Sequence, residues 1–154
     1  MKPGVAKSLT RSVGGRMDTL QCAVVLAKLE RFNWEIEQRV KIGQRYTDLI
    51  SPSQGPKEGV QIQPVTICPD RTSVYAQYTL ICIDREAIQA KLKQANIPTA
   101  IHYPVPLNEQ TAYKHLCCPD CTPVAQQIAK QVLSLPMGPD LSKAQQQHIV
   151  QHLL

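Results

Sequence analysis

Aromatic side chains are scarce in this chain of 154 residues, which has one Phe, one Trp and five Tyr, 5% in all. Basic residues do not cluster with them, so a base-stacking surface for nucleic acid is excluded. Long hydrophobic runs are missing too. No window approaches the ~18 consecutive apolar residues of a membrane span, and the opening segment lacks the apolar middle of a secretory signal. The cytoplasm is therefore the expected location. Charged residues are 19% and hydrophobic ones 43%, far from the composition of a disordered chain. Acids are in deficit: 12 Asp and Glu stand against 17 Lys and Arg, for a net charge of +5. That mild excess suits anionic small molecules. Its one local concentration is Lys2, Lys7, Arg11 and Arg16, all ahead of the first acid, Asp18. An Arg/Ser-bearing transit peptide and a solvated or displaced chain end both fit; the second is the expectation.

What is present is enough for one domain, which at this length buries roughly two thirds of its unfolded surface. Proline is absent from Met17 to Ile50, and Leu20, Val24, Val25, Leu29, Phe32, Ile36 and Val40 recur at steps of three and four. The spacing predicts one long helix, opened by a capping box at Asp18 and Gln21, with Gly14 and Gly15 in the preceding turn and a bend at Gly43. Some thirty residues at ~1.5 Å each would reach about 45 Å, more than a domain this small needs. Such a helix ties the domain to something larger or runs along a subunit interface. Residues 51–59 read as a loop. Residues 60–67 form an edge strand carrying Pro64, and residues 74–83 a more central one. Asp84 caps a helix with Ala87, Ile88, Leu92 and Ala95 inward. Thr99 to Tyr103 make a third strand, and Thr122-Pro123 opens a helix carrying Val124, Ile128 and Val132. A turn follows at Leu135 to Pro139. Ser142 and Gln145 begin the last helix, with Ile149, Val150 and Leu153 inward. The expected class is α+β.

Cys117, Cys118 and Cys121, with His115 upstream, have the spacing of half a zinc site, but the other half is missing. Incidental thiols are the expectation, with a local metal clip or a redox pair as alternatives. Disulfides are disfavoured in a reducing compartment. His102 and Tyr103 end the third strand ahead of Pro104, where His102 serves either as a ligand-binding group or as a plain surface histidine. Arg16 offers a planar fork to a carboxylate or phosphate, or is simply solvated. The backbone N–H groups after Gly14 and Gly15 are a weak candidate for holding an anion at the helix start.

Four strings carry a resemblance: Gly15-Arg-Met-Asp-Thr-Leu-Gln-Cys-Ala, Ala27-Lys-Leu-Glu-Arg-Phe, Ile97-Pro-Thr-Ala-Ile-His-Tyr-Pro-Val-Pro-Leu and Leu133-Ser-Leu-Pro-Met. In this order and spacing they resemble the C-terminal part of the DegT/DnrJ/EryC1/StrS sugar aminotransferases, from about Val13 to Leu154. Within the family, Pro106-Leu-Asn-Glu-Gln and Cys-Cys-Pro-Asp-Cys are most similar to members that aminate a UDP-linked 3-oxo-glucuronate on the way to O-antigen sugars. The resemblance implies a fold-type-I enzyme using pyridoxal phosphate to move an amino group from glutamate to a UDP-linked keto sugar, as a homodimer. Residues 51–154 would be its small domain, a mainly antiparallel sheet with helices on one face. Residues 16–50 would be the connecting or interface helix, and residues 1–15 match poorly. The large domain with the Schiff-base lysine is not among these residues, so this chain alone is expected to be inactive, with no catalytic residue of its own. Arg16, His102 and Tyr103 match positions that bind substrate in the family, Arg16 reaching into the partner subunit's site. Gly14 stands where the family carries an Asn toward the cofactor phosphate, and Asn108 where it often carries a His. The alternative from another class is a stand-alone binding or dimerisation module with the cysteine cluster as a metal clip.

Overall fold

In the computed structural model, residues 17–51, 62–118 and 120–154 are described. The N-terminal helical run is in two pieces, α1 (Thr19–Leu29) and α2 (Phe32–Ile50). Asp18 caps α1 as its spacing predicts: its carboxylate accepts from Gln21 N at 2.8 Å, while Gln21 Oε1 accepts from Asp18 N at 3.2 Å. The break falls at Glu30 and Arg31, not at Gly43. Arg31 N donates to Lys28 O at 3.1 Å, closing a tight last turn, and the Arg31 guanidinium stacks 4.5 Å over the Trp34 ring centroid as α2 begins. Neither residue is a helix breaker by type, so the sequence holds no sign of it. The stripe from Leu20 to Val40 also behaves differently from a core face. None of α1 is buried, whereas α2 buries Ile42, Gly43, Tyr46 and Ile50 near its end.

Three strands, β1 (Ile62–Pro64), β2 (Tyr78–Cys82) and β3 (Val132–Leu135), form an antiparallel sheet in the order β1-β2-β3. Pro64 sits on an edge strand and β2 is central, as expected. β3 is a correction, because the sequence reading gave Val132 to the preceding helix and Leu135 to a turn. A four-residue apolar run directly after a helix has too few positions for its period to be told apart. The anticipated strand at Thr99 to Tyr103 shrinks to one bridge, Ala100 to Ser134, with Ser134 N donating to Ala100 O at 2.8 Å and Ala100 N to Ser134 O at 3.1 Å. Pro98 and Pro104 bracket this segment and lack the N–H groups that would extend the ladder.

Helices α3 (Arg85–Gln94), α4 (Pro123–Gln131) and α5 (Lys143–Leu153) complete the α+β fold, with a short 3-10 turn at Leu107–Glu109. Asp84 and Ser142 cap α3 and α5 as predicted. Thr122 precedes α4, but its hydroxyl makes no cap bond and Val124 is exposed; Ala129 is the buried residue there. One core joins Ile42, Tyr46 and Ile50 of α2 to Tyr78, Leu80 and Cys82 of β2, Ile88 and Leu92 of α3, Leu133 and Leu135 of β3, and Ile149, Val150 and Leu153 of α5. Gln146, wholly buried on α5, links the layers: Arg45 Nη1 donates to its Oε1 at 2.6 Å, and its Nε2 donates to Ile42 O at 3.0 Å. Tyr46 Oη donates to Pro136 O at 3.0 Å, fastening α2 to the turn after β3.

Candidate functional site

The strand period of two decides which side chains leave the core. Tyr78, Leu80, Leu133 and Leu135 point into it, so Thr79 and Ser134, paired directly across β2 and β3, point to the other face. There the Ala100 bridge sets the following residues against β3. His102, half-buried, brings Nδ1 to 3.0 Å from Ser134 Oγ, which lies 3.0 Å from Thr79 Oγ1. Ser134 itself is only 3% exposed.

These residues border a cavity of about 400 Å³ whose lining includes Gln77, Thr99, His102, Ser134, Pro136 and Met137. Its walls carry no charged residue, and the polar atoms offered by side chains come from Gln77, Thr99, His102 and Ser134. Of the expected substrate-binding residues, His102 is therefore in the wall. Tyr103 stands next to it with rings edge to face at 5.7 Å, but it is 71% exposed and outside the lining. Arg16 and Gly14 lie outside the described residues. Sequence reasoning passed over Thr79 and Ser134 as site residues. The signal was a hydroxyl in the middle of the apolar run Val132-Leu-Ser-Leu, where a buried polar group needs a partner.

The cysteine cluster takes a different form from the incidental thiols expected. Cys118 and Cys121 are joined as a disulfide, their Cα atoms 5.5 Å apart across the intervening Pro-Asp, while Cys117 is free and exposed. Three residues of separation at a turn bring the two Cα atoms within bridging range, which a reading based on compartment alone does not weigh. Among the described residues, no group of three or more His, Cys, Asp or Glu side chains is placed to hold a metal ion. A pyridoxal phosphate site would require groups that the cavity wall does not carry. Neither a lysine to bind the aldehyde nor a carboxylate to face the pyridine nitrogen is in its wall, so these residues do not make a cofactor site by themselves.

Comparison with known proteins agrees with this architecture. The chain is 45% identical over 132 residues to the UDP-2-acetamido-2-deoxy-3-oxo-D-glucuronate aminotransferase of Pseudomonas aeruginosa, covering 86% of this chain and 34% of that protein. It is 30% identical over 145 residues to the dTDP-3-amino-3,6-dideoxy-alpha-D-galactopyranose transaminase of Aneurinibacillus thermoaerophilus, covering 94% and 38%. Among solved structures, a DegT DnrJ EryC1 StrS aminotransferase from Brucella abortus superposes with a TM-score of 0.78 at 34% identity, over 90% of this chain and 35% of that one. The chain thus spans about a third of the length of the relatives it matches. The sequence profile of the DegT/DnrJ/EryC1/StrS aminotransferase family matches residues 4–154, and the chain belongs to that family.

Proposed function

We propose that residues 16–154 are the connecting helix and small domain of a pyridoxal-phosphate-dependent nucleotide-sugar aminotransferase, which transfers an amino group from glutamate to a UDP-linked keto sugar. The observation that carries the reading is the 45% identity, over 86% of this chain, to an aminotransferase named for a UDP-linked 3-oxo sugar acid. The bare helix α1 supports it: Leu20 is 76% exposed, Leu26 65% and Leu29 54%, an apolar surface fit to pack on a larger body or a second subunit. The cofactor belongs to a large domain outside these residues and supplies the electron sink for amino transfer. This chain contributes one wall of the sugar pocket through His102 and Tyr103, and Arg16 reaches across a homodimer boundary to a substrate anion. The nucleotide-sugar chemistry of the relatives supports a cytoplasmic location. Among the described residues, no helix is long and apolar enough to cross a membrane. By itself the chain does not transaminate.

The test joins this chain in frame to the upstream two thirds of the Pseudomonas relative and supplies glutamate with UDP-2-acetamido-2-deoxy-3-oxo-D-glucuronate. The fusion is expected to form the amino sugar and the unfused chain to form none. A fusion that folds and binds its cofactor but does not aminate this sugar would refute the substrate assignment.

A further inference from the structure

We propose that Thr79 and Ser134 form a hydroxyl relay that holds His102 as its Nε2–H tautomer, making His102 a hydrogen-bond donor to an oxygen of the bound sugar nucleotide. Two distances define the relay: 3.0 Å from Thr79 Oγ1 to Ser134 Oγ and 3.0 Å from Ser134 Oγ to His102 Nδ1. Its direction follows from counting protons. A hydroxyl has one proton to give, and a neutral imidazole has one donor and one acceptor nitrogen. If His102 Nδ1 carried the proton, Ser134 would accept it and donate to Thr79, whose own proton would then have no acceptor among the described residues. Run the other way, Thr79 donates to Ser134 and Ser134 donates to an unprotonated Nδ1, so every hydroxyl proton in the chain is used. The buried Ser134 hydroxyl gives its proton in either direction, so the difference lies at half-buried Thr79, whose proton finds an acceptor among the described residues only in the second.

The tautomer decides what the cavity recognises. With Nδ1 occupied, Nε2–H is the ring atom left for a ligand, and no protein partner takes it among the described residues. Sugar hydroxyl, carboxylate and phosphate oxygens all accept from such a donor. Thr79 and Ser134 are positioning residues, acting through His102. Identifying the acceptor as a sugar nucleotide rests on the function proposed above; the relay itself does not.

The experiment reads the tautomer directly and without substrate. The full chain is labelled with 15N-histidine, its His102 signals are assigned by loss in His102→Gln, and spectra are taken at mildly alkaline pH, where an ordinary imidazole is neutral. Magic-angle-spinning spectra give the same information if the chain self-associates. Wild type is expected to show a protonated Nε2 and a bare Nδ1. Ser134→Ala and the near-isosteric Thr79→Val should each move the tautomer ratio by roughly two- to tenfold, the population equivalent of one neutral hydrogen bond, and Thr79→Ser should restore it. Should Ser134→Ala fail to fold, the Thr79 pair still decides. A wild-type proton on Nδ1, or a ratio unchanged in Thr79→Val, overturns the relay. In the fusion enzyme, a Thr79→Val that shifts the tautomer yet leaves the KM for the sugar unaltered would instead count against the cavity as the sugar site.

Discussion

The Tyr75 ring lies flat against Gly43, so close that a Cβ built on the glycine would fall 2.5 Å from Tyr75 Cδ2. The ring has little freedom to retreat. Tyr75 sits at φ 47°, with its N–H donating to Ser73 Oγ at 3.1 Å, its carbonyl accepting from Arg39 Nη1 at 3.2 Å and its ring stacked 5.9 Å from that of Tyr78. The missing side chain of Gly43 thus lets the chain entering β2 lie close against α2. Gly43→Ala should destabilise the fold by about 1–3 kcal/mol through overpacking. Denaturant melts of the single and double variants check this: Tyr75→Ala should recover part of the loss in the Gly43→Ala background, whereas simple additivity would rule out the contact as the cause.

Gln146 is the second tie. Replacing it with Leu keeps the volume approximately but leaves the Ile42 carbonyl and the Arg45 guanidinium without their partner, a loss of about 1–3 kcal/mol. Urea unfolding should show a lower midpoint at unchanged slope. A neutral outcome would mean that water takes over both groups.

These two ties show what the sequence could and could not reveal. Caps were legible because they are local: Asp18 with Gln21, and Ser142 with Gln145, act within one turn. Ile149, Val150 and Leu153 were legible because a full helical turn repeats their spacing. Gly43 was noticed, but as a bend, since its reason for being glycine lies 32 residues away in Tyr75. The same holds for the site. His102 stood out by type, while Ser134 and Thr79 gained their role only when the sheet register set them side by side. The stripe along α1 was legible as apolar and, from the excess length of the helix, as a face for something larger; among the described residues nothing buries it.

Stability should fall in alkali. Burial raises the Cys82 thiol from 9.0 to about 11, against an opposing pull from Arg85. It also raises the Tyr78 phenol from 10.0 to about 12, the Thr47 hydrogen bond working the other way, and it pushes the Tyr46 phenol up as well, with the neighbouring Tyr78 adding to the effect. All three fold best as neutral groups. Between the ordinary and raised values the unfolded chain has already lost protons that the native chain keeps, so the stability these groups contribute is complete below about pH 9 and drains away up to about pH 12. Urea midpoints measured across that range should decline, and Cys82→Ala should flatten the earliest part of the decline. Thiol labelling at neutral pH offers a parallel check: exposed Cys68 and Cys117 should react in the native chain and Cys82 only after unfolding.

The absence of a lysine from the cavity wall predicts how the chain meets pyridoxal phosphate. Borohydride treatment of a mixture should leave scattered, substoichiometric adducts on surface lysines. Peptide mapping by mass spectrometry reads the distribution. One lysine carrying a full equivalent would mean that this chain binds the cofactor itself and that the proposed division of labour is wrong.

In the fusion to the upstream part of the Pseudomonas relative, Arg16 and His102 should act on the sugar and Gly14 on the cofactor. A guanidinium reaching a substrate anion makes a charge-assisted bond worth about 1.5–3 kcal/mol, so Arg16→Ala should lower kcat/KM for the keto sugar by roughly ten- to hundredfold. His102→Ala should lower it in the same direction, by less if its neutral Nε2–H is the only bond lost. Both should leave cofactor retention unchanged, because neither acts on the phosphate. Gly14→Asn should do the reverse, slowing cofactor loss on dialysis while leaving the KM for the sugar alone, since the proposed reading puts this position where the family carries an Asn toward the cofactor phosphate. Steady-state kinetics and the absorbance of bound cofactor separate the two effects. If Arg16→Ala and His102→Ala keep full efficiency toward the sugar, or release the cofactor while binding the sugar normally, the assignment of these residues to the sugar pocket is lost.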